Sequence, residues 1–158
     1  MNKVTLPSFI TGLICLVTIL SLAQTKQKTI LFVCEHGTAK SIVAAAHFKK
    51  MAEQEGVSIN IVSRGTNPDE VVPEKINKLL HEDGFPSYTA KPVQLTSTDL
   101  KTADYVIAFN PIPDKFGKTP HLETWNIPSF EAGYPIARDS ILIHIERIIQ
   151  RIKEENKK

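Results

Sequence analysis

TILFVCEHGTAKSIVAAAHF, residues 29–48, opens on an apolar run of strand length, crosses a short polar turn and continues as helix-forming sequence. The run TILFVC (29–34) shows no alternation of polar and apolar residues, the pattern of a strand covered on both faces and hence of a parallel sheet. From Lys40 to Glu55, Ala44, Phe48, Met51 and Ala52 share one helical face, and Gly56 is placed to end the helix. Cys34 therefore stands at a strand's end, facing the start of a helix.

The remaining chain repeats the theme. SINIVS (58–63) reads as a second strand, followed by the turn-rich loop RGTNPD. Pro73 at a first-turn position, Ile76, Leu79 and Leu80 on one face and Gly84 at the close predict a second helix. DYVIAF (104–109) is a third strand, entered through STDLKTA and left through the proline-broken NPIPDKFGKTP, and HLETWNI (121–127) covers a fourth. Ile141, Ile145, Ile148, Ile149 and Ile152 give a long closing helix, which Asp139 is expected to help begin. This order predicts a doubly wound α/β sandwich of three layers around a four-stranded parallel sheet, with its site at the carboxyl ends of the strands.

A chain of 158 residues, 42% hydrophobic and 23% charged, suits one domain, placed at 24–158. Residues 1–23 carry one Lys, no acid, the apolar run ITGLICLVTIL and the ending Ser21-Leu22-Ala23, the pattern of an export signal cleaved before Gln24. An uncleaved membrane anchor is the alternative, since Leu6 to Ala23 is nearly of spanning length. Export implies a periplasmic or secreted protein, in contact with a membrane only if the segment stays attached. Without it, 18 basic residues face 17 acidic ones, and no basic stripe with interleaved aromatics offers a nucleic-acid surface. Only Cys34 then remains as a thiol, which leaves no disulfide framework, zinc cluster or C-x-x-C pair. His47, His81, His121 and His144 share no ligand spacing with Cys34 and are read as surface or helix-face residues, so no metal or other cofactor is expected. Trp125 is expected in the core.

The turn itself carries chemistry. The first N–H groups of a helix have no intrahelical partner and carry partial positive charge, so an anion can be held there, and the same field favours a negative sulfur. Gly37 suits a loop that must point successive amides inward, Lys40 adds a cation, and the Ser41 hydroxyl can donate to the sulfur. The competing reading of Cys34 is a small buried hydrophobe at a strand end.

With these residues in view, the chain resembles the low-molecular-weight protein tyrosine phosphatases and their arsenate reductase relatives, whose mark is a strand ending in C-x-x-x-x-x-R-S before a helix. Here it stands as FVCEHGTAKS. SRGT (63–66) is similar to the family's S-A-G-T, VPEKINKLLHEDGF to its second helix, DYVIAF to its third strand, and ETWNIPSF to the tryptophan-led segment before its catalytic aspartate. The resemblance runs through residues 29–152. It implies that Cys34 attacks phosphorus to form a phosphocysteine that water hydrolyses, while the loop Glu35, His36, Gly37, Thr38, Ala39 and Lys40 holds the phosphoryl oxygens. Gly37 replaces a family Asn used for a left-handed conformation that glycine adopts readily.

Two departures bear on activity. The family Arg is Lys40, so a forked guanidinium becomes a point charge, a loss of about 10²–10³ in rate where a preorganised contact is removed. The position of the family's aspartate holds Ser129, and Glu131 is the candidate replacement acid. Arg64, after the second strand, is a candidate for the missing guanidinium. A resolving cysteine would sit where the chain has Asn110. The expectation is a phosphomonoesterase of weak activity acting on a phosphorylated small molecule or phosphopeptide. The alternatives are a non-catalytic module binding a free oxyanion or phospholigand, and an arsenate reductase using an external thiol.

Overall fold

The apolar run after Thr29 forms the first strand, β1 (Thr29–Cys34), in which every residue from Ile30 to Cys34 is buried. A computed structural model describes residues 27–157; the export-signal segment 1–23 lies outside the described residues. After β1 follow α1 (Lys40–Gln54), β2 (Asn60–Gly65), α2 (Glu74–Glu82), α3 (Ser97–Thr102), β3 (Tyr105–Ala108), β4 (Leu122–Thr124) and α4 (Tyr134–Glu155). The four strands make one parallel sheet in the order β2-β1-β3-β4, with β1 interior, as its unbroken hydrophobicity requires.

Strand alternation sends Ile30, Phe32 and Cys34 to one face of the sheet and Leu31 and Val33 to the other. The first face meets α1, α2 and α4 in the larger core, where Phe32 lies against Phe48, Phe109 and Trp125, with ring centroids 5.6, 6.5 and 5.9 Å away. Five of the seven isoleucines of α4, Ile141, Ile145, Ile148, Ile149 and Ile152, pack here, each worth about 2 kcal/mol when fully removed from water. The second face is covered by Leu95, Leu100 and Ala103 around α3 and by Phe116 from a short 3₁₀ turn, Asp114–Phe116. The result is the expected three-layer doubly wound sandwich.

Several local readings are corrected. β2 runs from Asn60 to Gly65, two residues later than predicted, because its pairing with β1 continues until Gly65 stands beside Cys34. STDLKTA is a helix start: Thr96 caps α3 by accepting from the Asp99 N–H, while the Asp99 carboxylate accepts from the Thr96 N–H. Asp139 does not begin the last helix, which starts at Tyr134 after Gly133 with Pro135 in its first turn; Asp139 instead accepts from Arg138. His47, expected at the surface or on a helix face, is buried on the core-facing side of α1 with its ring edge-on to Phe85. Trp125 is in the core as predicted.

Among the described residues, no helix is long and apolar enough to cross a membrane, and no group of three His, Cys, Asp or Glu side chains is arranged to hold a metal ion.

Candidate active site

β1 ends and α1 begins across five residues, Glu35 to Ala39, and the loop they form is fixed from three sides. The chain after β2 runs beside it: the N–H of Thr66 donates to the Cys34 carbonyl at 3.0 Å, that of Asn67 to Glu35 at 2.8 Å and that of Asp69 to His36 at 3.1 Å. Gly37 has φ +64°, the left-handed region its sequence position predicted, and a Cβ there would lie 2.9 Å from the Gly65 nitrogen. Gly65 is equally constrained, since a Cβ on it would stand 2.9 Å from the Gly37 nitrogen and 3.0 Å from the His36 carbonyl carbon. Two glycines thus let the loop backbone lie directly on the end of β2. From β3, Asn110 Oδ1 accepts the Glu35 N–H at 3.4 Å.

The backbone of this loop is short of protein acceptors. Among the described residues, the N–H groups of His36, Gly37, Thr38 and Ala39 donate to no carbonyl or side-chain oxygen. The N-terminus of α1 has Ala39 at its cap, which offers no side-chain oxygen, and no acidic residue in its first turn. The contrast with the fully boxed start of α3 is informative, because unpaired amides at a helix N-terminus are the elements of an anion cradle.

At its centre Cys34, free and buried, places Sγ 3.0 Å from the Oγ of Ser41, itself fully buried in the first turn of α1. Lys40 reaches from the same turn to the segment before α4, donating to the Ile127 carbonyl at 2.6 Å. Burial lowers the Lys40 pKa from the ordinary lysine range, and the nearby Cys34 charge pulls it back only in part. Its side chain therefore ties the first turn of α1 to the segment that leads to Ser129 and Glu131.

The remaining expected site residues divide. Thr38 is buried, and its hydroxyl donates to Asp69 Oδ2 at 2.9 Å. His36 faces solvent, with Nδ1 3.1 Å from Asp69 Oδ1. Glu35 is exposed and lines, with Thr66, Asn67, Asn110, Pro113 and Lys115, a cleft of about 390 Å³ at the carboxyl edge of the sheet. Glu131 lies in the turn before α4; its N–H donates to Ser129 Oγ at 3.2 Å, and its carboxylate joins no hydrogen bond or ion pair among the described residues.

Arg64 is a correction. It stands opposite Val33 in the sheet, so strand alternation turns its side chain to the α3 face, away from Cys34. There its guanidinium meets Asp99 at 3.2 Å and donates to the Ser63 carbonyl at 3.0 Å, and it supplies no second cation to the loop. Sequence reasoning also passed over Gly65 and Asp69, which shape and hold the loop. The small residue at the end of a strand was the available signal for Gly65; nothing local marked Asp69.

Comparison with known proteins agrees with this geometry. The family model of the low molecular weight phosphotyrosine protein phosphatases matches residues 29–114, more than half of the chain. A protein-arginine-phosphatase of Bacillus subtilis (strain 168) is 33% identical over 82 residues, and the match spans about half the length of each protein, 50% of this chain and 53% of the relative. YfkJ from Bacillus subtilis superposes with a TM-score of 0.74 at 19% identity, covering 84% of this chain and 98% of that one. A thioredoxin-dependent arsenate reductase of Corynebacterium glutamicum does so with a TM-score of 0.65 at 24% identity, covering 82% of this chain and 63% of that one. At these identities the two structures speak for the fold.

Proposed function

Because the chain belongs to the low molecular weight phosphotyrosine protein phosphatase family, we propose that it is a phosphomonoesterase in which Cys34 accepts the phosphoryl group and water then releases it. The observation that carries this reading is the buried Cys34–Ser41 contact beneath a loop in which the N–H groups of His36 to Ala39 have no acceptor among the described residues. In that setting the loop N–H groups receive the phosphoryl oxygens, Lys40 balances their charge, and Ser41 steadies the sulfur as nucleophile and then as leaving group.

Lys40 in place of arginine and Ser129 in place of the acidic residue favour slow turnover or an ester with an acidic leaving group. The substrate class is a phosphorylated side chain of a peptide or a phosphorylated small molecule; the curated relative's name suggests phosphoarginine among the esters and phosphoramidates to try. Residues 1–23 support export to the periplasm or the medium, with an uncleaved anchor as the alternative. N-terminal sequencing of the protein recovered from outside the cytoplasm checks that reading.

The test of catalysis is a burst of phenolate from an aryl phosphate, with a phosphocysteine trapped by acid quench and mapped to Cys34. Cys34→Ser removes both. A second reading, an oxyanion-binding module without turnover, draws on Ser129, whose hydroxyl accepts from the neighbouring Glu131 N–H; phosphate binding with no burst selects it. Arsenate reduction would need an external thiol, since Asn110 follows β3 and Cys34 is the free cysteine of the described residues.

A further inference from the structure

On the reading of Cys34 as a phosphoryl acceptor, we propose that His36 gives the leaving group its proton and that Asp69 positions His36, together replacing the acid the chain lacks at Ser129.

His36 is the second residue after the nucleophile, in the loop that would hold the phosphoryl oxygens, and its side chain is 55% exposed to solvent. Asp69 is bound to that loop three times over. Its N–H donates to the His36 carbonyl at 3.1 Å, its Oδ2 accepts from the buried Thr38 hydroxyl at 2.9 Å, and its Oδ1 faces His36 Nδ1 at 3.1 Å. A carboxylate only accepts, so Nδ1 carries the hydrogen of that bond and Nε2, on the far side of the ring, is left for proton exchange. An exposed His–Asp pair adds little to stability, too little to explain a residue tied to the loop by three bonds, two of them to its carboxylate. A proton-transfer group carried by the loop that follows the nucleophile and fixed by a third residue is an arrangement acid–base catalysis uses, and an imidazole nitrogen can both give and take a proton. Glu131 is equally exposed to solvent but has no partner fixing its carboxylate.

In the first step the Cys34 thiolate forms the S–P bond as the P–O bond to the leaving group breaks. The departing oxygen takes the Nε2 proton of the His36 imidazolium, which becomes neutral imidazole with Nδ1–H still on Asp69. In the second step water oxygen bonds to phosphorus, the S–P electron pair returns to sulfur, and Nε2 takes a proton from the water. Phosphate leaves, and the imidazolium and thiolate are restored.

The test is kcat/KM of the full chain and its variants on aryl phosphates graded by leaving-group acidity. His36→Gln is expected to lose about 10²-fold or more on phenyl phosphate and little on 2,4-dinitrophenyl phosphate. Asp69→Asn is expected to show the same slope with a smaller loss, and imidazole in the buffer to restore His36→Ala on phenyl phosphate. Equal thermal protection of wild type and His36→Gln by inorganic phosphate is expected from an intact loop. A loss of one size on all leaving groups and indifferent to imidazole, no loss at all, or a steeper slope in Glu131→Gln alone overturns the proposal while leaving Cys34 in place. Absence of any Cys34-dependent turnover in the wild type overturns it together with the phosphatase reading.

Discussion

Cys34 Sγ and Ser41 Oγ stand 3.0 Å apart, closing the turn between β1 and α1 with a buried hydrogen bond, and neither atom has another partner among the described residues. A hydrogen bond to a charged group is worth about 1.5–3 kcal/mol, more than one between neutral groups. On the proposed reaction the bond matters most when the sulfur is negative, before attack and again when the phosphocysteine is hydrolysed. Ser41→Ala is therefore expected to slow turnover about 10- to 100-fold while changing phosphate affinity little. Stopped-flow burst kinetics separate the two half-reactions, and an unchanged second phase would count against the role given to Ser41.

Lys40, in the first turn of α1, donates to the Ile127 carbonyl, and burial lowers its pKa. A lowered lysine pKa means that the positive charge is lost at a lower pH than in a free lysine. Phosphate binding should accordingly weaken before the ordinary lysine range is reached as pH rises, and Lys40→Met should abolish that pH step along with most of the affinity. Lys40→Arg is expected to raise kcat about tenfold or more, because a guanidinium can grip two phosphoryl oxygens. Isothermal titration with phosphate and steady-state rates check the two statements separately. A pH-independent affinity through the alkaline range would show that Lys40 does not face the anion.

Gly65 has ordinary room for neither side of a methyl group: a Cβ would meet the Gly37 nitrogen at 2.9 Å and the Pro68 Cα at 3.0 Å, all backbone atoms. Overpacking of this kind costs about 1–3 kcal/mol. The displaced atoms belong to the loop after Cys34, the proposed phosphate site, so Gly65→Ala is expected to lower the melting temperature modestly and to weaken phosphate binding far more. Equal losses in stability and binding, or a full-strength site, would refute the claim that the two glycines shape the loop.

The strand-turn-helix at residues 29–54 was legible because its information is local: apolar run, glycine, lysine and serine lie within one short stretch. The face of Arg64 was not, because it depends on where pairing with β1 stops. Read as the residue after a strand ending at Ser63, Arg64 is free to reach the loop. Observed opposite Val33 inside β2, it is committed to the α3 face. The start of α3 was written in Thr96 and Asp99 as a capping box, but six residues give no amphipathic period to draw notice. Asp69 and Asp83 were invisible for another reason. Each finds its partners more than 30 residues away, at His36 and at His47, Tyr134 and Arg138.

Asp83, at the end of α2, ties α1 to the first turns of α4. Its carboxylate is buried and accepts from His47 Nε2 at 3.0 Å, from Arg138 at 3.0 Å and from the Tyr134 hydroxyl. Burial alone would raise its pKa, but the hydrogen bonds from Tyr134, Arg138 and His47 outweigh burial and hold it below the ordinary carboxylate range. A carboxylate depressed on folding contributes stability above its unfolded pKa and loses it as pH falls through the folded value. His47 acts in the same direction at a higher pH: burial lowers its pKa more than Asp83 restores it, so below the imidazole range the unfolded chain takes the proton more readily. The melting temperature is therefore expected to fall in two stages, first as pH drops from about 7 to about 5 and again below about 4. His47→Gln should flatten the first stage and keep the second, whereas Asp83→Asn should cost about 3 kcal/mol near neutral pH and flatten the second. Thermal melts across this range decide the matter, and a first stage that survives His47→Gln would place its titrating group elsewhere in the fold.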